Sequence, residues 1–237
     1  MRLDKLLANM DYGSRKDVKA LIKKKQVTVN GTVVKNSSIH VDPEQDKVMV
    51  NGEEVIYKKY IYLMLHKPPG VISATSDERE KTVVELLSAD FQHFKPFPVG
   101  RLDKDTEGLL LLTNDGELAH QLTSPNKNVG KTYYARIKGK VTEEDIETFK
   151  NGVILEDGYQ SKPAELKVLS SGDISEIQVT ITEGKFHQVK RMFEAVDKKV
   201  IYLKRLSMGK LELDSSLRLG EYRELKEAEL KYCQSLK

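Results

Sequence analysis

The 237 residues include a single cysteine, Cys233, so the chain forms no internal disulfide. Its setting near the C-terminus, "EAELKYCQSLK", reads as a thiol carried on a helix rather than a nucleophile, because no His-bearing segment accompanies it. Also lacking is any apolar run close to the roughly 20 residues that a membrane span requires. The opening "MRLDKLLANM" has neither the apolar centre nor the small-residue cleavage site of a secretory signal. No membrane attachment and a cytoplasmic location are therefore expected. Five histidines, His40, His66, His93, His120 and His187, are scattered, and with one cysteine they make no zinc set, so no metal is expected. Low-complexity segments are absent.

At 39% hydrophobic and 32% charged, the chain can bury one sizeable core plus a small appended domain. A net charge of +3 is unevenly spread. Residues 1 to 35 carry nine Lys or Arg against Asp4, Asp11 and Asp17, a local excess of +6 that leaves the remainder at −3. A basic module joined to a near-neutral body suits a polyanionic partner.

In that module Leu3, Leu6, Leu7 and Met10 follow the i, i+3, i+4, i+7 rule and predict a helix with one buried face. Gly13 stops it. "SRKD" then places Ser14 as N-cap and Asp17 at the third helical position, a capping box. Val18, Leu21 and Ile22 face inward, which leaves Arg15, Lys16, Lys19 and Lys23 outside. With Arg2, these are the candidate contacts to the polyanion. "VTVNGTVVK" and "VMVNGEEV" are hairpins whose Asn30-Gly31 and Asn51-Gly52 pairs suit type I′ turns. "IYKKY" reads as a linker, giving domains 1–58 and 60–237.

The body begins with "YIYLMLHKPPGVISA", an apolar strand broken by Pro68, Pro69 and Gly70. Strands are expected at 109–112, 132–137, 165–169, 176–182 and 200–203, and helices at 117–122, 143–150, 187–196 and 226–233. Hairpin-like spacings mixed with lone helices indicate an α+β fold with a largely antiparallel sheet.

The least ordinary stretch is "GRLDKDTEGLLLLTNDG", residues 100 to 116. As a calcium loop it fails, because Leu111 and Asn114 stand at the ninth and twelfth positions, where an EF-hand needs an oxygen ligand and a bidentate Glu. Asp105 and Glu107 read as surface residues, and Asp115-Gly116 as a turn before a helix. Asp103 differs: after "FPVG" the chain arrives extended, and the carboxylate can be held by backbone and Arg101 at the mouth of a core strand. Burial beside positive charge keeps such a carboxylate ionised, as a nucleophile must be.

Two resemblances sharpen this reading. "RLDKLLA…SRKDVKALIKKKQVTVNG" closely resembles the RNA-binding domain named after small-subunit ribosomal protein S4. "GRLDKDTEGLLLLTNDG", with "HKPPG", "KTYYARI", "EGKFHQVKRMF" and "LGEYREL" in that order, resembles the RsuA group of pseudouridine synthases. His66 stands where that family usually has Asn, and "AVDKKV" lacks the Gly often found after "AV".

The resemblance implies a small α/β RNA-binding domain followed by a catalytic domain with a central cleft, and a reaction that needs no cofactor. It assigns Asp103 as the carboxylate that either attacks the anomeric carbon or removes the neighbouring ribose proton. It makes Tyr133 the active-site tyrosine, with Tyr134 on the opposite side of the strand, and Lys190 the partner of the carboxylate. Arg191 then lies on another helix face, suited to phosphate. Arg101 and Lys67 are weaker candidates for RNA-backbone contacts. Residues 184 to 205 carry seven Lys or Arg against Glu194 and Asp197, a second basic concentration of the kind an RNA cleft needs. The expected substrate is a uridine of small-subunit ribosomal RNA within an assembling particle, acted on by a monomer. Large-subunit RNA is one alternative. A non-catalytic RNA-binding assembly factor is another, against which the joint presence of Asp103, Tyr133 and Lys190 argues.

Overall fold

Helices α1 (Leu3–Asn9) and α2 (Arg15–Lys23) open the chain in the computed structural model, which describes residues 1–236. Leu3, Leu6 and Leu7 are buried along α1, and Val18 and Ile22 along α2, as the 3.6-residue period requires. Between the helices Gly13 adopts φ +92, where a side chain would crowd Asp17. Ser14 then caps α2 as predicted: Asp17 N donates to Ser14 Oγ, and Ser14 N to Asp17 Oδ2. Strands β1 (Val27–Val29), β2 (Thr32–Val33), β3 (Val48–Val50) and β4 (Glu53–Glu54) form an antiparallel sheet in the order β2-β1-β3-β4. Both Asn-Gly pairs have positive φ at each residue (Asn30 51°, Gly31 78°, Asn51 53°, Gly52 85°), the type I′ signature. The helices and strands share one core of Leu3, Leu6, Val18, Ile22, Val27 and Val48.

This first compact unit comprises Met1–Ile61 and Ser88–Lys95; the second takes Tyr62–Leu87 and Pro96 onward. Within the second, β5 (Tyr62–Lys67) ends at Pro68, and the intervening α3 (Ala89–Gln92) groups with the first unit. After α3 come β6 (Phe97–Pro98), β7 (Glu107–Thr113), α4 (Gly116–Thr123), β8 (Lys131–Lys138), α5 (Glu143–Asn151), β9 (Glu165–Ser170) and β10 (Ile174–Ile181). The chain finishes with α6 (Gln188–Glu194), β11 (Lys199–Met208), β12 (Leu211–Glu212), β13 (Tyr222–Glu224) and α7 (Glu227–Gln234).

The strands make one sheet in the order β13-β5-β7-β11-β8-β10-β9, with β12 beside β11 and β6 beside β7. Every pairing is antiparallel except β7 with β11. Four consecutive leucines make β7 buried on both faces, as a central strand must be, whereas β8 and β10 alternate buried and more exposed residues. At the parallel pairing Gly108 (φ +111) lies against the backbone of Arg205, and a Cβ would collide with the Arg205 carbonyl oxygen and amide nitrogen. Glycine is therefore required at the head of the leucine run.

Some expectations change. The turn expected at Asp115-Gly116 does lead into a helix, and Asp115 is the N-cap of α4: it is buried and accepts hydrogen bonds from Leu118 N and the Tyr62 hydroxyl. Strand β11 runs five residues past the predicted Leu203, because "KRLSM" carries polar side chains on both faces and hides its strand period. Cys233 on α7 packs with Met64, Leu111 and Leu122, and burial pushes its thiol up to about 11, as befits an inert residue. Among the described residues, no helix is long and apolar enough to cross a membrane.

Candidate active site

The loop between β6 and β7 presents Asp103 against the start of α6. Lys190 Nζ lies 3.0 Å from Asp103 Oδ2 and 2.7 Å from Asp105 Oδ1, and His187 Nε2 lies 3.6 Å from Asp103 Oδ1. Burial disfavours the Lys190 ammonium, but hydrogen bonds to Asp105 and Asp103 outweigh it and hold its pKa above the ordinary lysine value. For Asp105 the balance runs likewise: burial opposes its charge, and Lys190 more than compensates, so the carboxyl titrates below its usual range. Asp105 is largely exposed, as its sequence context predicts, yet it shares the ammonium with Asp103. Glu107 is tied down instead, accepting the Tyr202 hydroxyl at 2.8 Å.

Tyr133 on β8 is buried and lines the same pocket as Leu102, Asp103, Thr106, Lys190 and Leu203. Tyr134 turns to the opposite face, where its ring meets Tyr202 edge-on at 6.0 Å. Residue alternation along the strand thus separates the two tyrosines as expected.

Lys67 contradicts its assignment as an RNA contact. Its side chain is fully buried, and Nζ donates to the carbonyl oxygens of Pro68 (3.0 Å), Lys104 (3.3 Å) and Thr106 (2.9 Å). The ammonium folds the Asp103 loop around itself and has no face left for phosphate. Burial pushes its pKa down to about 8, opposed by the nearby Asp105, Asp103 and Glu107. Ser73, which belongs to no sequence motif, holds the residue before Asp103: its hydroxyl accepts from Leu102 N and donates to Leu102 O.

Three other cations have protein surroundings that the sequence does not reveal. Arg101 is exposed and lines the pocket without pairing with Asp103, whose partners come from α6 and its preceding residue. Arg191 does leave the Lys190 face, but its guanidinium pairs with Asp157 and depresses that carboxyl. Arg2 is engaged by Asp4, through Nε at 3.0 Å and a second nitrogen at 2.7 Å. It neutralises a carboxylate that is 1% exposed, while the Arg2 side chain itself stays 46% exposed. By contrast Arg15, Lys16, Lys19 and Lys23 stand exposed on α2, as its helical period demands.

Outside its motif, nothing in the sequence distinguishes His187 from the other four histidines. It takes φ 49 just before α6, and the buried Gln188 fixes it there by accepting Lys185 N and donating to Glu183 Oε1. Glu183 in turn accepts the Tyr159 hydroxyl and Lys162 N. Its place inside "EGKFHQVKRMF" is the one signal that could have found it.

Comparisons with known proteins bear on both units. The family model described as "RNA pseudouridylate synthase" matches residues 61–195, and that described as "S4 domain" matches residues 1–47. An uncharacterized RNA pseudouridine synthase of Bacillus subtilis, YtzG, is 56% identical over 97% of this chain and 97% of its own. Ribosomal large subunit pseudouridine synthase B of the same species is 42% identical, covering 99% of this chain and 96% of the relative. Ribosomal small subunit pseudouridine synthase A of Escherichia coli K12 is 38% identical, covering 97% and 98%. A crystal structure described as a pseudouridylate synthase superposes with a TM-score of 0.69 at 34% identity, over 98% of this chain and 99% of that one.

Proposed function

Because this chain belongs to the RNA pseudouridylate synthase family, and to the branch of it that joins an S4 domain to the synthase domain, we propose that it isomerises one uridine of small-subunit ribosomal RNA with Asp103 as the catalytic carboxylate. The observation that carries this reading is the Asp103–Lys190 ion pair set beside buried Tyr133 in one pocket.

The reaction breaks the bond between C1′ and N1, turns the retained uracil, and joins C1′ to C5. The C5 proton leaves and N1 gains one, so nothing is oxidised or hydrolysed. Asp103 acts on the sugar, either by attacking C1′ or by taking the C2′ proton, and Lys190 orients its carboxylate for either role. Paired RNA hides the target bond, so the uridine is flipped out and its base packs against the Tyr133 ring. The exposed cations of α2 hold RNA backbone. We place the enzyme in the cytoplasm, acting as a monomer on an incompletely assembled particle.

The preference for small-subunit RNA rests on "HQVKRMF", whose wording resembles the small-subunit members of the family more than the "RQVRRM" type set against them. His187 and Lys190, the two residues at which the wordings differ, lie 3.6 Å and 3.0 Å from Asp103. A large-subunit substrate is the second reading, favoured by the 42% identity to synthase B. Mapping pseudouridines by chemical adduct and primer extension in a strain lacking the protein separates the two. The proposal expects one missing modification in small-subunit RNA; a missing one in large-subunit RNA transfers the enzyme to the second reading.

A further inference from the structure

Phe186 is 72% exposed, the one phenylalanine among the exposed large hydrophobic side chains described. Its ring stacks on His187 with centroids 3.8 Å apart and planes 17° from parallel. One face is therefore covered by imidazole and the other is open. The backbone on either side of the pair is anchored, since Gln188 accepts Lys185 N and donates to Glu183, and His187 keeps a left-handed backbone that its surroundings must support. The groove beside the ring also contains Ile72, Ala74, Arg101, Lys104 and Lys185 and reaches Asp103. Apolar and cationic groups thus surround an open aromatic face at the mouth of the reaction pocket, and nothing in the proposed chemistry uses that face.

A nucleotide pulled from a strand leaves its neighbour with one base face unstacked. A flat ring backed by a second ring replaces the missing stack without regard to base identity, and flanking cations suit the phosphates on either side. We propose that Phe186, supported by His187, is a stacking platform for the base adjacent to the flipped uridine. The assignment rests on the pseudouridine reading of the Asp103 pocket. Phe186 is a positioning residue, because it touches the neighbouring nucleotide and not the reacting atoms.

The test uses full-length protein and a ribosomal RNA fragment carrying the uridine that it modifies, prepared with either a normal or an abasic residue beside that uridine. Phe186→Ala raises KM roughly ten- to a hundredfold, the range of one base–aromatic stack, while kcat stays near that of the unaltered enzyme. Phe186→Trp restores KM; Phe186→Leu, apolar but without a π face, does not. The abasic fragment imposes the same KM penalty on the unaltered enzyme and adds nothing to the Phe186→Ala penalty. A fragment with 2-aminopurine at the neighbouring position loses fluorescence on binding the unaltered protein and keeps it with Phe186→Ala. Equal abasic penalties in both proteins, or full rescue by leucine, overturn the platform while leaving the reaction assignment intact. Absence of pseudouridine formation by the unaltered enzyme on every ribosomal RNA fragment, free or within an incompletely assembled particle, overturns the reading beneath it.

Discussion

One ammonium serves two carboxylates: Lys190 Nζ stands 3.0 Å from Asp103 Oδ2 and 2.7 Å from Asp105 Oδ1. Removing it leaves like charges facing each other at the pocket. Lys190→Met is therefore expected to lower kcat by roughly 100-fold or more, with a smaller effect on RNA affinity, because misorienting a reacting group costs transition-state stabilisation. Single-turnover rates and filter binding check this, and Lys190→Arg should recover part of the activity. A larger fall in affinity than in rate would make Lys190 an RNA-binding residue.

Lys67 holds the Asp103 loop through three carbonyl oxygens. Lys67→Met should slow turnover and lower the melting temperature while leaving the salt dependence of RNA binding unchanged. Its pKa also carries a sign. Burial lowers the folded-state value to about 8 from 10.5, so between these pH values the unfolded chain binds the extra proton and stability rises with pH. The stability advantage of the unaltered protein over Lys67→Met should grow from pH 8 to pH 10.5, as read by urea unfolding at several pH values.

Exposed α2 cations and the paired Arg2 should separate experimentally. Replacing Arg15, Lys16, Lys19 and Lys23 with Gln lowers the slope of log affinity against log salt by about 0.7 to 0.9 for each phosphate that the helix no longer neutralises, with little change in folding. Arg2→Gln instead uncovers buried Asp4 and should lower the thermal midpoint of the N-terminal unit. Binding isotherms from low to high salt, with melting curves, decide both.

Gly108→Ala tests the head of the leucine strand. Its φ of +111 and close approach to the Arg205 backbone predict a destabilisation of roughly 2–4 kcal/mol from strain and broken strand pairing. Urea unfolding measures it, and an unchanged midpoint would mean that β11 yields readily.

Elements with a strong period are readable from sequence. Helix α2 announces itself through Ser14 and Asp17, β8 through alternation, and both hairpins through Asn-Gly pairs. The Asp103–Lys190 encounter is reachable only through family resemblance, because a separation of 87 residues leaves no local sign of it. Lys67 misleads because a basic side chain in sequence looks the same whether its partner is solvent, phosphate or protein. Ser73 and His187 act through non-local interactions that no spacing encodes.

On the proposed mechanism Asp103, and not its neighbour Asp105, acts on the ribose. Release of tritium from RNA labelled at C5 of uridine tests it directly, since that hydrogen leaves only when C1′ is joined to C5. The unaltered enzyme and Asp105→Asn should both release tritium, with Asp105→Asn within about tenfold of the normal rate, while Asp103→Asn releases none yet binds RNA with nearly full affinity. Sustained release by Asp103→Asn, or its disappearance in Asp105→Asn alone, would contradict the account.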